Sequence, residues 1–192
     1  SLSFGGAEKV ALVLSNYFCK KNINVSLVLV HPRYGLKNQL SKNVKFYQLK
    51  SGSARRSIFE LRKLIRSIRP DKIISVLRSV NYLTAVSTLF SNPKPELYFR
   101  VESPLSRFFQ PIKFQSLIEL MLLNITYPLA ASLIPNSLYT LETLKRYYFF
   151  GKNYSAQIGN PVFLEKKSSI IKDKRRSLKI ENDLVILNVA RL

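Results

Sequence analysis

Apolar residues at helical spacing open the chain. Ala7, Val10, Ala11, Leu14 and Phe18 recur on one face and predict a helix over 7–17, started by the permissive Gly5-Gly6 pair. Residues 24–30 (NVSLVLV) are β-branched and predict a buried strand, and 44–49 (VKFYQL) predict a second. Ile58, Leu61, Leu64, Ile65 and Ile68 then mark the stripe of an amphipathic helix over 57–69 that Pro70 brings to an end. Further along, the pattern predicts a strand at 72–77, a helix at 82–90, a turn at 92–95 and a strand at 97–101. A long helix over 114–127 follows, then a strand at 131–134, a helix over 138–149 that Gly151 terminates, and a strand at 155–158. Strands alternating with helices predict an α/β fold, a Rossmann-like doubly wound parallel sheet.

Beyond residue 162 the pattern changes. Residues 165–183 are charged and serine-bearing with no long apolar face, which predicts a first domain over 1–162 and an interdomain linker over 163–183. Residues 184–189 (LVILNV) have the length and branching of a buried strand, so 184–192 read as the first strand of a second domain. A parallel strand needs partners, and a glycine pair opening a helix usually follows a strand. The expectation is therefore an interior piece of a longer chain, lacking its first strand and the rest of the second domain. Glu119, Asn124 and Pro128 interrupt the apolar stretch 117–134 and argue against a membrane-spanning helix.

Composition narrows the chemistry. In 192 residues, 46% hydrophobic and 11% aromatic content is enough for a sizeable core and excludes a disordered or collagen-like chain. One Cys and one His exclude an internal disulfide framework and a Cys/His zinc site within these residues. Cys19 lies in an apolar helical run and reads as core. A formal charge of +20 calls for an anionic partner: a nucleic acid, a phosphorylated substrate or an anionic membrane face. Residues 9–59 hold ten Lys or Arg and no Asp or Glu, a basic face that is either simply solvated or meets such a partner. On the helix over 57–69, Arg62, Lys63, Arg66 and Arg69 fall off the apolar stripe and are expected in solvent. The aromatics form no stacking pattern typical of nucleic-acid modules, so that partner rests on charge alone.

Three places could carry chemistry. Gly5 and Gly6 at a helix start would offer open N–H groups to a phosphate or carboxylate, or serve the turn alone. Arg100, Glu102 and Ser103 sit where a strand runs out at the carboxyl edge of the sheet, the edge at which open α/β sheets bind ligands. The first two would equally form a surface ion pair. His31, the single histidine, precedes Pro32 with no carboxylate nearby in sequence and reads as a loop residue, which disfavours hydrolase triads.

Several segments taken together, SLSFGGAEKVALVLSNYF, IRPDKIISVL, FRVESPLSRF, IPNSLYTLETLKRYY, QIGNPV and ILNVARL, resemble in order and spacing the GT-B glycosyltransferases of family four, glycosyl transferases group 1. The resemblance implies two Rossmann-like domains facing across a cleft, the first binding mainly the acceptor and the second a UDP- or GDP-linked sugar, with no metal. This chain matches the first. The resemblance places the Gly5–Gly6 loop in the cleft and Arg100 and Glu102 among cleft residues, as catalytic candidates, with Ser103 beside them. It matches Asn160 and Pro161 to the turn entering the connector. Arg191 matches the arginine that contacts the donor diphosphate, where a guanidinium stabilises charge on the departing phosphate, although Ala190 replaces the usual glycine before it. The following lysine, the nucleotide pocket and the paired glutamates would lie beyond Leu192, so the isolated chain is expected to be inactive. The implied parent activity is retaining transfer of a sugar to a glycan or lipid-linked acceptor in cell-envelope polysaccharide synthesis, such as lipopolysaccharide or capsule. Its implied location is cytoplasmic, peripheral to the inner face of the cytoplasmic membrane. The competing expectation is a non-catalytic basic α/β module that binds anionic membrane or polymer.

Overall fold

The structure, a computed structural model, describes residues 6–30, 37–50, 54–106 and 114–161. Helix α1 (Gly6–Lys20) leads into strand β1 (Ser26–Leu29), which pairs in parallel with β2 (Lys45–Gln48). Helix α2 (Ala54–Ile68) connects to β3 (Lys72–Val76), and α3 (Arg78–Thr88) to β4 (Glu96–Val101). Helix α4 (Phe114–Thr126) and a short 3-10 turn (Tyr127–Leu129) lead to β5 (Ser132–Pro135), followed by α5 (Leu138–Tyr147). The strands β3, β4 and β5 form a second parallel sheet with β4 in the middle. The chain is therefore α/β with parallel sheets, and this architecture is compatible with a Rossmann-like domain.

Burial explains why the strands are where they are. β4 has neighbours on both sides, and Leu97, Phe99 and Val101 are all buried with Leu105, Leu123, Tyr127, Leu133 and Leu144 in the largest core. A second core sets Leu12 of α1 against Leu27 and Leu29 of β1 and Val44. Between them, Leu49, Leu61 and Ile65 pack against Val28 and Val30 on one side and Ile73 and Leu83 on the other, so α2 joins the two sheets. At the end of α5, Gly151 is fixed by space, because a Cβ there would collide with the hydroxyl of Tyr148.

Three expectations change. Helix α3 begins at Arg78 and stops at Thr88, leaving Leu89 and Phe90 exposed in a turn. The strand expected at 155–158 reduces to a single bridge between Leu133 and Tyr154, with Ser155 N–H donating to the Leu133 carbonyl and Ile158 N–H to that of Pro135. Its short apolar content leaves it at the sheet margin. Arg62 does not stand in solvent: its Nη2 and Nε donate to the carbonyls of Val86 and Ser87, at 3.1 and 3.4 Å, and its guanidinium lies 5.5 Å from the Phe90 ring centroid. It closes the last turn of α3, where carbonyls lack helical partners. Cys19 is half-buried beside the second core, its Sγ 3.8 Å from the Ser41 hydroxyl. No helix among the described residues is long and apolar enough to cross a membrane.

Candidate functional site

The carboxyl ends of β3, β4 and β5 carry the densest polar network. Residues 100 and 102 are two apart on an extended strand, so their side chains emerge on one side. Arg100 is only 3% exposed and its Nε donates to Glu102 Oε1 at 2.8 Å. This ion pair is buried, not superficial. A buried pair needs its remaining donors and acceptors satisfied. Arg100 Nη2 donates to Asn160 Oδ1 at 2.9 Å and to the Ile158 carbonyl at 3.4 Å. Asn136 Nδ2 donates to the Glu102 carbonyl at 2.9 Å and to its Oε2 at 3.3 Å. Charge is thereby compensated on the spot, and Arg100 and Glu102 act on the loops around them.

Asparagine carries the rest. Asn81, fully buried in the first turn of α3, accepts from the Ser75 hydroxyl at 2.6 Å and donates to the Arg100 carbonyl at 3.1 Å, tying the ends of β3 and β4 together. Asn136 also accepts from the Thr140 hydroxyl, while Ser137 caps α5 by accepting from the Thr140 N–H at 3.1 Å. The loop leaving β4 is fastened to α5 where Leu105 N–H meets the Thr143 hydroxyl at 3.1 Å.

Ser103 lines a cavity of ≈220 Å³ with Leu77, Arg78, Ser79, Val101, Glu102, Leu105 and Tyr127. Leu77 enters α3 at φ 85° with no side-chain cap on the helix, a backbone region costly for a branched side chain. The first N–H groups of α3 and two serine hydroxyls at this cavity suit a hydroxylated or anionic ligand group. Below it, Arg78 Nε pairs with Glu119 Oε2 at 3.2 Å, and Tyr82 donates to the same carboxylate at 3.4 Å. The Tyr127 hydroxyl is buried with no hydrogen-bond partner. Burial pushes its pKa up to about 12, against the opposing pull of the Asn81 amide and the Arg78 guanidinium. Burial likewise raises Tyr82, with Tyr127 and Glu119 adding to the effect.

Among the residues singled out from sequence, the structure brings together Arg100, Glu102, Ser103 and Asn160. Gly6 is the exposed first residue of α1, with open space where a Cβ would stand, and it is not among the described residues lining the cavity. Gly5, His31, Ala190 and Arg191 lie outside the described residues, as do the linker and the last strand. Sequence reasoning missed Asn81, Asn136, Arg78 and Tyr127. No sequence signal separates Asn81 from the other polar residues of α3, Arg78, Ser79, Thr84, Ser87 and Thr88. No protein-family model, no curated protein and no solved structure matches this chain.

Proposed function

We propose that this chain is the acceptor-side, Rossmann-like half of a GT-B glycosyltransferase of family four, whose parent transfers a sugar from a UDP- or GDP-linked donor to a glycan or lipid-linked acceptor with retention. One observation supports the reading most. Three of the separated segments that carry the resemblance, around Arg100, Asn136 and Asn160, join in a single hydrogen-bond network at the carboxyl edge of a parallel sheet. Resemblance in three segments that also converge is stronger support than resemblance in any one. In this reading the cavity at Ser79 and Ser103 receives the acceptor, Arg100 and Glu102 position the turn that leads toward the second half, and Arg191 meets the donor diphosphate.

The test is to express the encoded continuation with this chain and screen nucleotide-sugars for transfer. The expected continuation holds a lysine and two glutamates eight residues apart. Arg191→Ala should then lower kcat by about 100- to 1000-fold, the range for losing a group that stabilises charge in the transition state, with an unchanged unfolding midpoint. A stop codon after Leu192 would overturn the reading. The runner-up, a basic module without catalysis, draws its support from Lys63 and Arg66, exposed on α2, and Arg69, exposed just past its end.

A further inference from the structure

Helix α4 carries its apolar residues on the wrong side for a core. Leu123 and Asn124 face inward and are buried, while Leu117, Ile118, Met121, Leu122 and Ile125 are exposed, Met121 at 64% and Ile125 at 62%. Their spacing, i, i+1, i+4, i+5 and i+8, makes one continuous stripe along the helix. Glu119, the one acid of α4, lies off this stripe and is held by Arg78. Two aromatic side chains extend the surface. Asn124 Oδ1 accepts from the Phe149 N–H at 2.7 Å, and its Nδ2 donates to the Tyr147 carbonyl at 3.0 Å, which fixes the Phe149-Phe150 turn against α4. Both phenylalanines are exposed, Phe150 at 73%. Phe149 also lines a cavity of ≈430 Å³ into whose wall Lys145 and Lys152 are built.

An apolar stripe with aromatic anchors and a basic margin is what an interfacial helix presents to lipid. We propose that α4 and the Phe149-Phe150 turn form a docking surface for an anionic bilayer. Met121, Ile125 and the two phenylalanines enter the acyl boundary, and Lys145 and Lys152 meet headgroup phosphates. Charge selects this occupant over a second copy of the chain. A two-fold dimer through this face would bring the lysine margins of two +20 chains together, whereas an anionic surface compensates them. The surface is distinct from the basic α2 face, and it does not depend on the glycosyltransferase reading, since vesicle binding is read without any donor.

The experiment is flotation of the chain with vesicles of phosphatidylcholine alone and with about 30% phosphatidylglycerol, the anionic fraction being what draws basic residues to a surface. The chain should float with the anionic vesicles and not with the neutral ones. Lys145→Ala with Lys152→Ala should lower partitioning about 25-fold at low salt, each cation near such a surface contributing roughly fivefold. Met121→Glu with Ile125→Glu should lower it about 100-fold or more at any salt, because two inserted apolar groups become charged. All four positions are exposed, and an unchanged urea midpoint confirms that each variant is folded. The proposal is overturned if the glutamate variant still floats while Lys63→Ala with Arg66→Ala does not. It is equally overturned if the native chain sediments as a dimer that Met121→Glu dissociates and that never binds vesicles.

Discussion

At the scale of single residues, Tyr127 is the most informative side chain. Its ring touches those of Tyr82, Phe99 and Tyr148, yet its hydroxyl has no partner. An orphaned buried hydroxyl contributes nothing to offset its lost hydration. Tyr127→Phe should therefore leave the urea midpoint at pH 7 unchanged or slightly raised. The pH dependence has a definite sign. A tyrosine whose native pKa is raised from 10.0 to about 12 contributes fully below pH 10 and loses that contribution as the pH climbs toward 12. The native chain should lose about 2–3 kcal/mol over that window from this group, and Tyr127→Phe should lack that part of the loss, as read from urea midpoints measured across the alkaline range. None of this is visible in the sequence, where Tyr127 stands at the end of an apolar run. The Arg100–Glu102 pairing, by contrast, was legible from a two-residue separation on a strand. Its burial was not, because the partners that satisfy it arrive from Asn136 and Asn160, 36 and 60 residues beyond Arg100 in the chain.

At the scale of elements, apolar periodicity located the five helices α1–α5 and the five strands β1–β5, because each of these elements buries one face and repeats at its own period. It over-reached at 155–158, where only a bridge forms. What periodicity could not convey is which polar positions are used. Arg62 lies off the apolar stripe of α2, as a solvated residue would, but α3 passes close enough for the guanidinium to reach its carbonyls. Arg62→Ala should cost about 1.5–3 kcal/mol, the range for hydrogen bonds to a charged group. Arg62→Lys should recover less than half, because an ammonium cannot reproduce the planar fork. Urea denaturation of the three proteins reads both. Helix α4 shows the converse limit. The sequence shows an apolar helix there, but not which of its apolar residues meet the core, and the packing leaves Leu117, Ile118, Met121, Leu122 and Ile125 exposed.

At the scale of the molecule, helices α1 and α2 both reach across the two parallel sheets, α1 contacting β1 and β3 and α2 building the small core between them. Among the described residues β1 pairs with β2 and β3 with β4, while Leu61 and Ile65 of α2 touch side chains from both sheets. Leu61→Ala should cost about 2–5 kcal/mol, as buried leucine truncations do. It should also lower the amide-exchange protection of β1 and β2 more than that of β4, since the larger core survives without it. The alternation of strand and helix made the fold class legible from sequence. The division into two sheets was not, because pairing partners are set by packing and not by local pattern.

Asn81 does more than satisfy its own hydrogen bonds. A single buried amide holds the exits of β3 and β4 at fixed separation, so the loops leaving those strands inherit a frame that their own residues did not build. Such a frame permits variation. Ser103, Pro104 and Ser106 and the exposed position 79 can change identity without disturbing where the cavity walls begin, while Leu105 stays in the core, and a family of chains sharing Asn81, Ser75 and the strand ends could diversify what it recognises while inheriting one scaffold. For a designer, the same division marks which positions to randomise and which to leave alone.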